Sequence, residues 1–206
     1  MSRGFLLRRT SPVLLALLLV GCHRAPAEIA TPKWDPATAA DRALSDYDSN
    51  GDHKLSPEEL KKCPGLFAVK DRFDSDRDGS ISRDELISQL HDIRQQDAAL
   101  VEISCVVTRN GQPLEGATVK LIPESFMGDD IKPASGITGR DGTTFPSLAD
   151  EELPENYRGR VHGVPCGIFR VVVTHPSAGI PAKFNTKTEV GRVISRRDHE
   201  PLMINF

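Results

Sequence analysis

The twelve-residue segment Asp74–Glu85 contains oxygen-bearing side chains at intervals that suit a metal ion. Calcium is a hard cation that takes six to eight oxygen ligands at about 2.3–2.6 Å from carboxylates, carbonyls and hydroxyls. Gly79 at the sixth position allows a sharp turn, because a residue without Cβ adopts a positive φ at little cost. The twelfth residue, a glutamate, can supply both carboxylate oxygens. The predicted ligands of this segment, called loop 2 below, are Asp74, Asp76, Asp78, Ser80 through its backbone carbonyl, Ser82 and Glu85.

A second acidic segment, Asp48–Glu59, repeats this spacing and is called loop 1. Two of its positions are less favourable. Asn50 removes one negative charge, and His53 stands at the sixth position, where a positive φ costs a non-glycine residue on the order of 1 kcal/mol. We therefore predict two calcium sites, of which the site in loop 2 binds more tightly. The predicted ligands of loop 1 are Asp48, Asn50, Asp52, Lys54 through its backbone carbonyl, Ser56 and Glu59.

Both segments resemble the calcium-binding loops of EF hands. The eighth residues, Leu55 and Ile81, are hydrophobic and are expected to face each other between the paired loops. Only fourteen residues separate Glu59 from Asp74, so the helices between the loops must be short. Such a compact pair is similar to structural or buffer hands rather than to sensors. The resemblance therefore implies that calcium stabilises the fold instead of reporting a signal.

The residues around the two loops follow a helical pattern, and we assign residues 39–98 to a small all-α pair of EF hands. We expect Pro64-Gly65 to end the helix that leaves loop 1, because proline interrupts a helix. Leu66, Phe67 and Phe73 are then expected to supply the apolar side of the helix that enters loop 2. The apolar positions of these helices are Leu44, Tyr47, Leu60, Leu66, Phe67, Phe73, Leu86, Leu90 and Ile93.

From residue 99 onward the hydrophobic period changes to two, which is typical of half-buried strands. Strands are predicted at 101–107, 117–123, 168–174 and 202–206, with turns at Asn110-Gly111 and Asp141-Gly142. The whole chain is accordingly predicted to be α + β as two domains, an EF-hand pair and then an all-β sandwich at 99–206.

Three segments of this second region, Gly111–Val119, Thr138–Gly142 and Gly163–Thr174, resemble the carboxypeptidase regulatory-like domain. That family has a transthyretin-like or immunoglobulin-like β-sandwich. It contributes no catalytic residues and serves as a structural or interaction module. The resemblance therefore implies a non-catalytic role for residues 99–206.

The amino-terminal residues have the features of an export signal. Basic residues precede an apolar stretch at 13–20, which is too short to cross a bilayer as a helix. The sequence Leu19-Val20-Gly21-Cys22 resembles the lipobox of bacterial lipoproteins, which implies a signal peptide at 1–21 and a lipid on the Cys22 thiol. An Ala- and Pro-rich flexible tether at 22–38 would follow. We expect a lipid-anchored protein of the cell envelope, with the outer membrane favoured because His23 follows the lipidated cysteine.

Composition and motifs limit the other functions. A formal net charge of -3 argues against nucleic acid as a partner. No G-x-S-x-G or H-E-x-x-H motif accompanies His162, His175 or His199, so we expect no enzymatic activity. After export, Cys105 and Cys166 could form a disulfide if their strands are adjacent, which the sequence leaves open.

Two hypotheses remain for the role of the protein. The first is a calcium-stabilised, membrane-tethered protein whose sandwich contacts an envelope protein or a polysaccharide. The second is an accessory module in which the EF-hand pair forms a dockerin-like surface that binds a partner protein. Exposed apolar residues on the helices that flank the loops would favour the second hypothesis.

Overall fold

The computed structural model describes residues 28–96, 98–198 and 200–206. The predicted signal peptide and Cys22 lie outside these residues. A helical region comes first and a β-sheet-rich region follows, as the fold-class prediction stated. The elements of the helical region are α1 (Pro36–Tyr47), β1 (Lys54–Leu55), α2 (Pro57–Leu60), α3 (Pro64–Phe67), α4 (Lys70–Phe73), β2 (Ile81–Ser82) and α5 (Arg83–Arg94).

Helix α1 begins before the predicted domain boundary at residue 39. The Asp35 carboxylate accepts a hydrogen bond of 2.8 Å from the Thr38 backbone N–H, and Pro36 occupies the first helical position, so both residues favour a helix start here. Trp34 is buried, and its carbonyl accepts a 2.7 Å hydrogen bond from Arg94 Nη1. The last residues of the predicted tether therefore belong to the folded region.

The segment between the loops differs from the predicted pair of helices. The helix that leaves loop 1 ends at Leu60, before the predicted stop at Pro64-Gly65. Pro64 instead begins α3, where its missing N–H leaves no hydrogen bond unmade. Leu66 and Phe67 lie on α3 and Phe73 lies on α4, so the prediction that all three share the helix that enters loop 2 was wrong.

Helix α5 confirms the periodic pattern, because Leu86, Leu90 and Ile93 are all buried. Ser82 caps its amino terminus, and Glu85 three residues later completes a capping box. The helix packs chiefly against α1. Since these two helices enter loop 1 and leave loop 2, their contact holds the outer ends of the two loops together.

The β-rich region contains two sheets. An antiparallel five-stranded sheet has the order β10-β9-β5-β6-β8, and the second sheet has the order β11-β3-β4, with β7 also paired to β3. Strand β11 runs parallel to β3. The strands are β3 (Cys105–Arg109), β4 (Gln112–Pro113), β5 (Thr118–Pro123), β6 (Ala134–Ile137), β7 (Thr143–Thr144), β8 (Ser147–Leu148), β9 (Gly167–Thr174), β10 (Gly191–Ile194) and β11 (Leu202–Asn205).

The predicted strands and turns correspond closely to these elements, with one shorter strand. Of the predicted 101–107 strand only residues 105–107 lie in a ladder, as part of β3 (Cys105–Arg109), while Val101 forms an isolated bridge with Val164. Asn110 and Gly111 both have positive φ, 51° and 77°, as the two-residue hairpin between β3 and β4 requires. Short 3-10 turns lie at Ser125–Met127, Asp150–Glu152, Glu155–Tyr157 and Ala182–Phe184.

The three described cysteines, Cys63, Cys105 and Cys166, are buried free thiols. Cys105 lies on β3 and Cys166 directly precedes β9, so the two belong to different sheets and form no disulfide. Burial raises the pKa of Cys105 to about 12. Among the described residues, no helix combines the length and apolar character that a bilayer crossing needs.

Candidate metal centre

A two-stranded antiparallel pair joins the two loops. Lys54 of β1 pairs with Ser82 of β2, and Leu55 pairs with Ile81. Leu55 and Ile81 are both fully buried, which confirms that these two positions face each other. The pair lets two loops that are distant in sequence share one hydrophobic support, so each loop is held at its centre by the other.

The glutamates at the twelfth positions close their loops in the same way. One oxygen of Glu59 accepts hydrogen bonds from the Ser56 backbone N–H, 2.9 Å, and hydroxyl, 2.7 Å, and the other accepts from the Ser49 N–H, 2.8 Å. Glu85 repeats this with Ser82, at 2.8 and 2.7 Å, and with the Ser75 N–H, 2.7 Å. Each carboxylate therefore spans its loop from the second residue to the ninth.

The three aspartates of loop 2 converge on one volume. Asp74, Asp76 and Asp78 each offer one carboxylate oxygen, and these oxygens lie within 4.8 Å of one another. The backbone keeps them there, because Gly79 N–H donates to Asp74, 2.9 Å, and Ser80 N–H donates to Asp78, 2.9 Å. Three carboxylates this close repel each other, and a divalent cation with oxygen ligands relieves that repulsion. The donor set therefore fits calcium.

Loop 1 uses the same hydrogen-bond scheme with one carboxylate fewer. Asp48 accepts from the His53 N–H, 2.9 Å, and Asp52 accepts from the Lys54 N–H, 2.9 Å. Asn50 holds the third position, with its side-chain oxygen accepting from the Asp52 N–H at 2.9 Å. The equivalent positions in the two loops thus have equivalent backbone partners, and they differ in charge.

The remaining predicted ligands occupy the seventh and ninth positions. Lys54 begins β1 and Ser80 directly precedes β2, so their carbonyls belong to the segments where the loops approach each other. The hydroxyls of Ser56 and Ser82 are engaged with the loop glutamates. These serines therefore cap the helices that follow, and a metal ion would reach them most simply through a bridging water molecule.

Each loop contains two residues with positive φ, at its fourth and sixth positions. In loop 1 these are Gly51 at 76° and His53 at 64°, and in loop 2 they are Arg77 at 61° and Gly79 at 92°. Each loop therefore has one glycine and one residue with a side chain in this region of backbone space. The sequence pattern predicted a backbone cost at His53, and the structure adds a similar cost at Arg77 that was not predicted. The glycine at the fourth position of loop 1, Gly51, was the signal that this position needs a positive φ.

Three of the loop carboxylates, those of Glu59, Glu85 and Asp78, have lowered pKa values. The hydrogen bonds from Ser56 and Ser49 lower the pKa of Glu59 to about 2. Burial acts to raise the pKa of Glu85, but its hydrogen bonds with Ser82 and Ser75 outweigh that effect and leave the pKa lowered. The Lys54 amino group of loop 1 forms an ion pair with Asp78 of loop 2, and this ion pair lowers the pKa of the Asp78 carboxyl. At neutral pH the carboxylates of Glu59, Glu85 and Asp78 are anions.

Comparison with protein families agrees with this geometry. Residues 71–91 match the family model described as EF hand. The match includes all of loop 2 and most of α5, and it ends before the β-rich region. A comparison with curated proteins finds no similar sequence. The chain therefore carries an EF hand at 71–91, with calcium as the ligand that this motif supports, and its acidic cluster lies inside the matched segment.

Proposed function

We propose that this protein binds two calcium ions, one in each loop, and uses them to stabilise its fold. The observation that carries the proposal is the shared hydrogen-bond scheme of Glu59 and Glu85 across their loops. A helix cap alone contains only the hydrogen bonds between the twelfth residue and the ninth. The additional hydrogen bond from the second residue to the twelfth closes the loop. The same closure in loop 1, which the family match does not include, supports a second site there.

The site in loop 2 is proposed to bind more tightly because of charge. Loop 2 brings the carboxylates of three aspartates together, whereas loop 1 has Asn50 in place of one aspartate. The backbone cost of positive φ is similar in the two loops and does not separate them. Each lost negative charge weakens the attraction for a divalent cation.

Calorimetric titration of the full chain with calcium tests both statements. We expect two binding events of unequal affinity, with Glu85→Gln removing the tighter one and Glu59→Gln removing the weaker one. Glu58→Gln and Asp84→Asn are matched controls, because each changes a carboxylate next to a ligand position in sequence and should leave both events intact. No binding heat at millimolar calcium, together with a melting temperature that ignores chelator, would contradict the proposal.

We further propose that the protein is exported and anchored to a membrane by a lipid on Cys22, as the resemblance to a lipobox implies. Incorporation of a labelled fatty acid by the wild-type protein tests this. Cys22→Ser should abolish the label, and Cys63→Ser should retain it. Label retained in Cys22→Ser would contradict the proposal. Exported proteins meet abundant calcium, for which sites with dissociation constants of about 10⁻⁴–10⁻³ M suffice.

The proposed role is structural or interactive and not catalytic. Burial raises the pKa of the Cys63 and Cys105 thiols, so they are poor nucleophiles. The dockerin-like alternative needs free helix faces beside the loops. Helix α3 packs against β9 and β10, and α1 and α5 pack against each other. These internal contacts favour a calcium-stabilised unit over a module that docks through its hands.

A further inference from the structure

The segment that connects the two loops lies directly on the larger sheet. The inter-loop turn, defined as Cys63–Phe67, packs against β9 and β10. Gly191, the first residue of β10, lies against this turn. A Cβ atom on Gly191 would lie 1.9 Å from the Pro64 carbonyl oxygen and 2.5 Å from the Gly65 nitrogen. Backbone therefore meets backbone at this point, with no space for a side chain.

A buried carboxylate fixes the same turn from the other side. Glu124 directly follows β5, is 1% exposed, and accepts a 2.8 Å hydrogen bond from the Gly65 N–H. Its second oxygen has no hydrogen-bond partner in the described part of the chain, and Arg170 Nη1 is 3.9 Å away. A Cβ on Gly65 would lie 2.5 Å from Ile168 Cγ2. The turn is thus clamped between β9, β10 and Glu124.

The clamped turn is close to the calcium ligands along the chain. Glu59, the twelfth residue of loop 1, lies four residues before Cys63, and the Cys63 N–H donates to the Leu60 carbonyl at 2.8 Å. Leu60 and Leu66 are buried on either side of the turn. A shift of the turn therefore moves the helix that carries Glu59.

Further contacts join the two regions around the clamp. Arg72 of α4 lies 3.3 Å from the Asp198 carboxylate, and the Gln96 side chain accepts a 2.6 Å hydrogen bond from the Arg196 N–H. The rings of Tyr47 and Phe126 meet edge to face, with 6.4 Å between their centroids. The buried residues of both regions form one continuous cluster.

We propose that calcium binding in the loops and folding of the β-rich region form one coupled equilibrium, transmitted by the inter-loop turn against Gly191 and Glu124. This inference rests on the proposed calcium sites. Calcium fixes Glu59 and Asp74 at the two ends of the connecting segment. The segment therefore loses less conformational entropy when the turn docks on the sheet. By linkage, the factor by which calcium favours docking of the turn equals the factor by which docking tightens calcium binding. A sheet that cannot accept the turn must therefore weaken calcium binding by that factor.

Substitution of Gly191 by alanine tests the coupling from the sheet side. The Cβ would push the Pro64 carbonyl away from β10, and we expect calcium to bind about tenfold more weakly in calorimetry with calcium alone, roughly 1.4 kcal/mol. Gly179→Ala is the matched control, because Gly179 lies in the same region and no atom of the described residues is within 4 Å of an added Cβ. A Gly191→Ala protein that is folded and binds calcium as the wild type does would overturn the proposal.

The native thiols test the coupling without any substitution. Cys63 lies in the turn and Cys105 lies on β3, and both are 0% exposed, so each reacts only when its surroundings open. We expect calcium to slow alkylation of both thiols of the full chain by the same factor. Peptide mapping measures the rate of alkylation at each cysteine. Calcium protection of Cys63 alone would overturn the coupling. Absence of calcium binding by the wild type in calorimetry would instead show that the proposed function itself had failed.

Discussion

Alanine at Gly79 isolates the backbone cost of the loop conformation. Gly79 has a φ of 92° and is exposed, and within the part of the chain that the structure describes no atom lies within 4 Å of an added Cβ. Alanine there meets no steric obstacle, so its whole effect in the folded state comes from holding an L-residue at positive φ. This conformation costs about 1–2 kcal/mol per residue. Gly51→Ala, at a φ of 76° and with equally open space, should behave alike.

The comparison with Gly179→Ala removes the contribution of the unfolded chain. Any change from glycine to alanine restricts the unfolded chain and stabilises by about 0.4–1 kcal/mol where the native φ allows it. Gly179 is also exposed and open, and its φ lies outside the positive range. Since both variants share the unfolded-state effect, the difference in unfolding free energy between them equals the loop cost, about 1–2 kcal/mol.

Thermal unfolding of the full chain at saturating calcium, followed by circular dichroism, provides the measurement. For a protein of this size, 1 kcal/mol shifts the melting temperature by about 2–4 °C. Gly79→Ala should therefore melt roughly 2–8 °C below Gly179→Ala. Equal melting temperatures for the two variants would refute the positive φ of Gly79 in loop 2.

Three other substitutions test charge. Asn50→Asp restores a fourth carboxylate to loop 1 and should tighten that site by roughly fivefold, about 1 kcal/mol, in calcium calorimetry. Lys54→Met frees the Asp78 carboxylate and should tighten calcium binding by loop 2 by up to about fivefold, since exposed ion pairs contribute about 0.2–1 kcal/mol. Lys61→Met is the control, because it releases Glu58, which is not a predicted ligand. Glu124→Gln should remove a pH dependence of stability, because burial raises the pKa of Glu124 in the folded protein. A folded carboxyl with a raised pKa binds protons more tightly than the unfolded chain, so stability falls as pH rises from the ordinary value to the raised one.

The Glu124 prediction depends on the groups that face this carboxylate. Cys63 and Tyr47 lie near it on the helical side, and Arg170 faces it from β9. Urea unfolding between pH 4 and neutrality, in the presence of calcium, should show the wild type losing stability relative to Glu124→Gln as pH rises. Glu102→Gln, at an exposed position, should keep the wild-type slope. Parallel curves for the wild type and Glu124→Gln would contradict the assignment.

The features predicted correctly from sequence are those fixed by local interactions. The Leu55–Ile81 contact follows from the equal spacing of two loops, and the buried face of α5 follows from the helical period of Leu86, Leu90 and Ile93. The hairpin at Asn110-Gly111 follows from the tolerance of these residues for positive φ. Each of these depends on neighbours within a few residues or on a repeated motif.

The features that sequence reasoning missed depend on distant partners. The start of α3 lies where Pro64 meets Gly191 and where the Gly65 N–H reaches Glu124, 59 residues away. A glycine that must be small because another backbone passes against it has no local sequence signature. The end of α2 was also predicted wrongly. Pro64 was expected to stop this helix, but α2 ends at Leu60 and Pro64 begins α3.

The order of affinity of the two loops follows from three contributions. Backbone strain does not separate the loops, because His53 and Arg77 adopt similar positive φ angles. The additional carboxylate of loop 2 favours that loop by about 1 kcal/mol. The ion pair between Lys54 and Asp78 opposes this difference, but both side chains are partly exposed and such a pair contributes about 0.2–1 kcal/mol, less than or equal to the contribution of the additional carboxylate. The number of carboxylates therefore sets the order, and Lys54 of loop 1 reduces the difference because its amino group pairs with Asp78 of loop 2.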